Sequence, residues 1–370
     1  MIVRLAVALC AALLASFALP ATAWNRLHAT QFATLPAGTA HPEGITADAK
    51  GNLYVADFDV SSQTGKGNIV VFDRNGRWLR TLSSDVATNL LLGIAFNPAT
   101  GDLLVCDLGK SQVLKVDPHN GNAQVFATIP GSGGPNALAF DASGNVYISD
   151  SFQATIWRTD AGGNGLVPWV QDPLLAVQGD PDPQVGTQDF PPFGANGLAF
   201  NHDGSALFVA NTASDRVIRI PVTGGNPGQP GTFVNSINGA DGLIVDGDDN
   251  VWVAANQADE IVVVDKTGRA IAKLGDFGGI SRQGAPVGLL FPASLVKVGN
   301  FIYVTNLSLD LATSFGLPQA VDSQWAGEVT RHTIARLPAL VPPIRGQLCL
   351  AAGSRGTTRD PVFPFHACRR

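Results

Sequence analysis

The sequence is poor in charged residues, in methionine and in cysteine. Lys and Arg number 24 and Asp and Glu number 30 among 370 residues, so the net charge is −6. This negative balance, with no basic stripe between aromatic residues, argues against a nucleic-acid partner. The four cysteines lack the paired spacing of a zinc site. A serine-hydrolase GxSxG motif is also missing.

The chain also lacks an apolar run long enough to cross a membrane. The longest such stretch, residues 5–19, falls short of the roughly 20 residues that a spanning helix needs. Positive charge precedes it and the small residues Ala21-Thr22-Ala23 follow, which is typical of a secretory signal peptide. We therefore expect residues 1–23 to be removed. The mature protein should be secreted or periplasmic, with no membrane attachment after processing.

Three cysteines remain in the mature chain. Cys106 lies in an apolar strand pattern and is interpreted as a small buried hydrophobic residue. Cys349 and Cys368 lie near the C-terminus and could pair in an oxidising compartment, a pairing that one sequence does not decide.

Helical periodicity is almost absent, and one pattern recurs six times. Each copy predicts a short apolar strand, a turn of Gly, Asn and Asp, and a second alternating strand. Most copies continue into a third and a fourth strand. Six such units, roughly 45 to 60 residues apart, predict an all-β fold, a six-bladed β-propeller. The six segments are EGITADAKGNLYVADF from Glu43, LGIAFNPATGDLLVCDL from Leu92, NALAFDASGNVYISDS from Asn136, NGLAFNHDGSALFVANT from Asn196, DGLIVDGDDNVWVAANQ from Asp241 and ASLVKVGNFIYVTNL from Ala293.

The ends of the repeat region predict a ring closed by an N-terminal outer strand. TQFATLPAGTAHPEGITA from Thr30 matches QVFATIPGSGGPNALAF from Gln124, so residues 30–35 look like a fourth strand without its own blade. The last unit has a third strand, GEVTRHTI from Gly327, and no convincing fourth. The N-terminal strand should complete that blade and remove the exposed sheet edges. The predicted propeller spans residues 24–334, and residues 335–370 form a tail.

The connections between strands fall into two groups. Turns between first and second strands are tight, whereas four long links lie on the face where the first strands begin. Loops beyond about 12 residues are usually functional or disordered, so the links predict a walled pocket, with simple loop drift as the alternative. Phe190, Phe193, Phe315 and Trp325 lie in these links, which favours a fairly apolar small-molecule substrate. The links are residues 59–67, 171–193, 275–291 and 308–326.

Each first strand opens with a residue that should point to the central axis on that same face. Four of the six carry side-chain oxygens and two are apolar. Two carboxylates and two amide carbonyls suit Ca²⁺ or another hard divalent cation, and ordinary turn chemistry of Asn and Asp is the alternative. In chain order the residues are Glu43, Leu92, Asn136, Asn196, Asp241 and Ala293.

The second strands also end in a repeated polar residue. Because Asp or Asn occurs there in all six units, we predict a structural hydrogen bond rather than a catalytic role. The residues are Asp57, Asp107, Asp150, Asn211, Asn256 and Asn306.

The six histidines form no predicted pair. His41 has no second histidine assigned beside it. The other five are expected to be solvated polar residues: His28, His119, His202, His332 and His366.

Four repeated phrases resemble the metal-site phrases of a known family. HPEGITAD, GPNALAFD, GANGLAFN and GADGLIVD are similar to those of the senescence marker protein/gluconolactonase family, also called regucalcin. The resemblance covers about residues 36–306 and extends to diisopropylfluorophosphatase, paraoxonase and strictosidine-synthase-like propellers. It implies a divalent cation held by Glu43, Asn136, Asn196 and Asp241 at the top of the central tunnel. It also implies hydrolysis of lactones or related esters, with Asp241 as general base or nucleophile.

Three hypotheses about the function of the chain follow. The first is an exported, Ca²⁺-dependent hydrolase of lactone or ester substrates, which the shared register of four oxygen-bearing residues favours. The alternative is a non-catalytic NHL-type propeller that binds protein or glycan around a structural ion, and GNLYVAD in the first unit resembles such repeats. A strictosidine-synthase-like pocket with different chemistry is the third.

Overall fold

The structure is a computed structural model that describes residues 26–61, 65–177, 193–316 and 323–342. The predicted signal peptide, Phe190, His366 and the pair Cys349 and Cys368 lie outside the described residues. In the part that is described, no helix is long and apolar enough to span a membrane. Cys106 is buried and its thiol is free, in line with the predicted hydrophobic role.

Antiparallel strands fill the first half of the chain. The N-terminal strand is β1 (Thr30–Thr34). Blade one comprises β2 (His41–Ala47), β3 (Leu53–Phe58), β4 (Gly67–Phe72) and β5 (Trp78–Ser84). Blade two comprises β6 (Leu91–Phe96), β7 (Leu103–Asp107), β8 (Gln112–Val116) and β9 (Ala123–Thr128). Blade three comprises β10 (Pro135–Phe140), β11 (Val146–Asp150), β12 (Thr155–Thr159) and β13 (Val167–Gln171).

The second half continues the pattern with additions. Blade four comprises β14 (Ala195–Phe200), β15 (Ala206–Asn211), β16 (Arg216–Thr223), β17 (Asn226–Pro227) and β18 (Gly231–Asn235). Blade five comprises β19 (Ala240–Val245), β20 (Val251–Ala255), β21 (Glu260–Val264) and β22 (Ala270–Leu274). A hairpin of β23 (Phe277–Ile280) and β24 (Pro286–Gly288) occupies the next link. Blade six comprises β25 (Pro292–Val298), β26 (Phe301–Asn306) and β27 (Thr333–Pro338), with helices α1 (Leu311–Phe315) and α2 (Ser323–Ala326) between the last two.

The blades form a closed ring. The innermost strands β2, β6, β10, β14, β19 and β25 contact one another in that order, and β25 contacts β2 again. An apolar cluster fills each gap between neighbouring blades, because alternate side chains of every strand face the next sheet. The predicted six-bladed β-propeller is therefore confirmed.

The N-terminal strand closes the ring as predicted. β1 pairs with β27 in antiparallel register, with Thr34 opposite Thr333 and Thr30 opposite Arg336. The order β1-β27-β26-β25 gives blade six its fourth strand. β27 begins later than the predicted segment from Gly327 and continues to Pro338, so blade six extends past residue 334.

The residues that end the second strands have the predicted structural role in five blades. Their side chains satisfy backbone groups of the preceding connection, and the Asp150 carboxylate, for example, accepts from Gly134 N at 2.8 Å and from Trp157 Nε1 at 3.0 Å. The other four are Asp57, Asp107, Asn211 and Asn306.

The repeat register of blade five was predicted wrongly by one residue. Pro135 pairs with Asp150 in blade three, whereas the matching Ala240 pairs with Ala255 in blade five. Asn256 therefore lies one position beyond the end of the second strand. It does not share the structural role of Asp150.

The prediction that His41 lacks a histidine partner is also wrong. His332, just before β27, packs edge-on against His41 with ring centroids 4.5 Å apart. His41 Nδ1 donates to the Leu307 carbonyl at 2.9 Å, while Nδ1 of His332 is buried without a partner. Burial lowers the pKa of both rings, that of His332 to about 3, where the charge of His41 adds to the effect. The two imidazoles meet only because the propeller closes between blade six and blade one.

His332→Asn should weaken the dependence of stability on pH. The folded-state pKa of His332 is lowered to about 3 from an ordinary 6.5, so the unfolded chain binds its proton first. The stability from the neutral ring is complete above pH 6.5 and is lost as the pH falls toward 3. Protonation of His332 in the unfolded chain should lower the wild-type free energy of unfolding by about 1 kcal/mol per pH unit below the ordinary histidine pKa. Urea unfolding in chelator between about pH 7 and pH 5 would measure this.

His119→Asn is the matched control, since it removes an exposed imidazole from a turn. Its free energy of unfolding should follow the wild-type slope. Equal slopes in the wild type and His332→Asn would contradict the assignment of this pH dependence to the buried pair.

Candidate metal centre

A β-bulge opens the first strand of every blade at the same place. In blade four, Ala195 pairs with Asn211 and Leu198 pairs with Val209, so Asn196 and the residue after it fall in the shift. The same irregularity occurs in the other five blades. A bulge re-aims side chains out of the regular alternation. The six predicted opening residues all lie at these bulges.

Glycine follows the opening residue in four of the six blades because neighbouring first strands approach closely. A Cβ on Gly197 would lie 2.5 Å from the Asp241 carbonyl oxygen, and one on Gly44 would lie 2.3 Å from that of Leu92. Neither contact is possible without moving the backbone. Because glycine has no side chain, the bulges of neighbouring blades can pack closely around the central axis.

The four predicted ligands share one cavity. Glu43, Asn136, Asn196 and Asp241 all line a space of about 40 Å³, and Leu92 lines it from blade two. Ala293, the opening residue of blade six, is fully buried beside it. Since one water needs roughly 10–15 Å³, the space suits a cation with a few small ligands.

The two carboxylates of this cavity have no cationic side chain beside them. Glu43 and Asp241 are each 5% exposed, and no ion pair of either is present among the described residues. In the part of the chain that the structure describes, Oε2 of Glu43 and Oδ1 of Asp241 are buried without a hydrogen-bond partner. Such orphaned acceptors are expensive unless a cation meets them.

Burial perturbs both acids strongly. It raises the pKa of Glu43 well above the usual range, and the charge of Asp241 adds to the rise. It also raises the pKa of Asp241 to about 7, against the opposing effect of the hydrogen bond from Asn256. Both shifts show that the protein alone does not stabilise the ionised pair.

The donor set fits a hard divalent cation. Within the described residues, no three His, Cys, Asp or Glu side chains cluster as a metal site. The cavity instead combines two carboxylates with two amides, the oxygen ligands that Ca²⁺ accepts. The amide nitrogens of Asn136 and Asn196 already donate to hydroxyls, at 3.0 and 2.9 Å. Their amide oxygens are therefore available to a cation.

The cavity walls are apolar, although only one of the three described aromatic residues predicted to form them does so. Phe193 lines the cavity as predicted, whereas Phe315 and Trp325 are each 39% exposed and lie outside the lining. Trp325 packs near Phe277 instead, with ring centroids 5.9 Å apart. The other apolar wall residues are Phe58, Phe291, Leu307, Leu309 and Leu311.

Sequence reasoning also missed two polar residues of the cavity. Asn256 and Thr212 both line it, and each follows the end of a second strand. Asn256 Nδ2 donates to Asp241 Oδ2 at 2.9 Å, which holds one carboxylate oxygen and leaves the other free. The available signal was position: the residue after the second-strand position that pairs with the start of the first strand is polar in blades three, four and five only.

Solved structures with this backbone share little sequence with the chain. A luciferin-regenerating enzyme has a TM-score of 0.57 at 15% identity, over 82% of this chain and 92% of that one. A calcium-binding protein, regucalcin, from Agrobacterium tumefaciens has a TM-score of 0.54 at 17% identity, over 86% and 98%. A gluconolactonase from Xanthomonas campestris has a TM-score of 0.53 at 15% identity, over 77% and 97%.

At the sequence level, one family model matches part of the chain. Among curated proteins, none matches significantly. The model of the SMP-30/Gluconolactonase/LRE-like region matches residues 172–275. The phrases GANGLAFN and GADGLIVD, which carry Asn196 and Asp241, both lie within that range. The predicted resemblance is thus confirmed, and residues 172–275 of this six-bladed β-propeller are similar to the SMP-30/gluconolactonase/LRE-like region.

Proposed function

We propose that this protein is an exported, Ca²⁺-dependent hydrolase that opens lactones or cleaves related esters of a fairly apolar kind. Glu43, Asn136, Asn196 and Asp241 would hold the cation. The observation that carries the proposal is the pair of buried, unpartnered carboxylate oxygens on Glu43 and Asp241. A propeller that only scaffolds its blades has no use for two uncompensated acids at the axis.

A bound Ca²⁺ would supply Lewis acidity to the substrate carbonyl and stabilise the negative charge that develops on its oxygen. Asp241 is the candidate base, since its carboxylate lines the cavity in which the cation would activate a water. It would take a proton from the attacking water as the new C–O bond forms. The same proton would pass to the leaving alcohol oxygen, so that water and ester give acid and alcohol.

The walls favour a substrate with alkyl or aryl substituents. Every lining residue apart from the four ligands, Thr212 and Asn256 is Phe or Leu. No lysine or arginine lines the cavity in the described part of the chain. Phe and Leu offer no hydrogen bonds to the hydroxyl groups of a sugar lactone, whereas an apolar chain buries surface against them.

Glu43→Gln should separate metal binding from folding. It removes a buried carboxylate that the metal-free protein stabilises poorly, so the metal-free variant should unfold at higher denaturant than the metal-free wild type. The same change should abolish the gain from calcium. In the wild type, free Ca²⁺ at about 100 times Kd should raise the free energy of unfolding by about 2.7 kcal/mol. Urea unfolding with chelator and with calcium would measure this gain.

The control for this prediction is the buried glutamate of blade five. Glu260 pairs with Arg26 and Lys273, each at 2.6 Å, so Glu260→Gln should lose about 2 kcal/mol and keep the calcium response. If Glu43→Gln is destabilised like Glu260→Gln, or still gains stability from calcium, the cation site is refuted.

Asp241→Asn should lose turnover even at saturating calcium. The amide keeps a ligand oxygen but cannot accept a proton from water, so kcat should fall at least about 100-fold. Initial rates on alkyl-substituted lactones, aryl esters and gluconolactone would measure this, with the alkyl and aryl substrates expected to be preferred. Asp57→Asn serves as control, because Asp57 is also buried but lies outside the cavity lining.

The non-catalytic alternative makes the opposite prediction. If the wild type binds calcium yet hydrolyses none of these substrates, the ion is structural and the hydrolase proposal fails. Wild-type rates in Asp241→Asn would remove Asp241 from the chemistry.

A further inference from the structure

A second polar layer lies directly behind the ligands. The last residue of each second strand that pairs with the start of the first strand is followed by a polar residue in the three blades whose opening residue is Asn or Asp. These residues are Ser151, Thr212 and Asn256, which are 0%, 1% and 2% exposed. In blades one, two and six the same position holds Phe58, Leu108 and Leu307. A polar residue at this position therefore accompanies the Asn and Asp ligands, whereas Glu43 in blade one has Phe58 there.

The hydroxyls of this layer link neighbouring blades. Ser151 Oγ accepts from Asn136 Nδ2 at 3.0 Å and donates to the Ala195 carbonyl at 2.7 Å. Ala195 immediately precedes Asn196, the ligand of the next blade. Asn196 Nδ2 in turn donates to Thr212 Oγ1 at 2.9 Å.

The linkage continues into blade five and ends there. Thr212 Oγ1 donates to the Ala240 carbonyl at 2.8 Å, and Ala240 immediately precedes Asp241. Asn256 Nδ2 then donates to Asp241 Oδ2 at 2.9 Å. Three ligands from three blades are thus connected through alternating side chains and backbone carbonyls.

The direction of each hydrogen bond fixes which atom of the ligand can meet a cation. A hydroxyl has one proton, and here it is used on a backbone carbonyl. The hydroxyl can then only accept from the ligand amide, so the NH₂ group must face it and the amide oxygen is left for the cavity. Behind the Asp241 carboxylate, blade five has an asparagine amide, which donates a hydrogen bond, in place of a hydroxyl.

We propose that Ser151, Thr212 and Asn256 are positioning residues that orient Asn136, Asn196 and Asp241 and thereby set the affinity for the cation. This inference rests on the proposed function, because it assigns the layer to the same cation site. Supporting groups behind metal ligands commonly change metal affinity by about 10- to 100-fold when they are removed.

Thr212→Val tests the proposal. Valine keeps the shape of threonine but removes the acceptor for Asn196 and the donor for Ala240, so the Kd for Ca²⁺ should rise about 10- to 100-fold. Thr212→Ser restores the hydroxyl and should recover most of the affinity. Calorimetric titration of the metal-depleted mature protein with CaCl₂ gives Kd, and urea unfolding in chelator reports the fold separately.

Thr159→Val is the matched control. Thr159 is a buried threonine of blade three whose hydroxyl also donates to a backbone carbonyl, that of Asp160 at 2.7 Å. It lies outside the cavity lining. This variant should bind calcium like the wild type, even if its metal-free stability falls as much as that of Thr212→Val.

Each outcome is decisive. Wild-type affinity in Thr212→Val, or an equal loss in Thr159→Val, overturns the positioning layer while leaving the cation site intact. Absence of calcium binding by the wild type overturns the proposed function and this inference together. If Thr212→Val does not fold, Ser151→Ala with rescue by Ser151→Thr takes its place, and an unchanged Kd in Ser151→Ala again refutes the layer.

Discussion

Two buried carboxylates without a cationic partner are the constraint around which the centre of this protein is built. Glu43 lies on the first strand of blade one and Asp241 on the first strand of blade five. Burial and mutual repulsion raise the pKa of Glu43, and burial raises that of Asp241. Ionising both in an apolar cavity costs several kcal/mol unless a positive charge lies between them. A divalent cation meets that requirement with the oxygens already present.

Elsewhere the protein satisfies its buried acids with its own groups. Glu260 lies between Arg26 and Lys273, and Asp150 accepts from backbone and indole N–H donors. Asp107 likewise accepts from Thr88 N and Gln112 Nε2. The contrast shows that the orphaned oxygens at the axis are not a general weakness of the fold. Among the described residues, the buried carboxylate oxygens without a partner are those of Glu43 and Asp241, where the first strands converge.

The sequence predicted the ring and the opening residues because both depend on a local pattern written six times. The strand, the bulge and the following turn recur in register, so the position of Glu43 or Asn196 could be read without coordinates. Blade five was misread because alanine replaces the usual Asp or Asn at residue 255, and Asn256 takes the place of that signal one residue later.

Features that depend on contacts between distant segments could not be read from the repeat. His332 meets His41 only across the closed ring, where β27 lies between β26 and the N-terminal strand. The apolar wall is made largely by strand ends and by Leu309 and Leu311, which lie in a link without a repeat pattern. Phe315 and Trp325 are aromatic, as a wall residue could be, but they lie on short helices and their side chains are partly exposed to solvent.

The ligands and the walls come from different parts of each blade, and this separates cation binding from substrate choice. Every polar residue of the cavity lies on a first strand or directly after a second strand, where bulges and close backbone packing fix it. Several of the apolar wall residues lie in the long links, which can change in length and composition without moving a bulge. The residues at the axis of the propeller therefore favour a cation. The choice of substrate depends on the apolar wall residues of the links, which are Phe193, Phe291, Leu309 and Leu311.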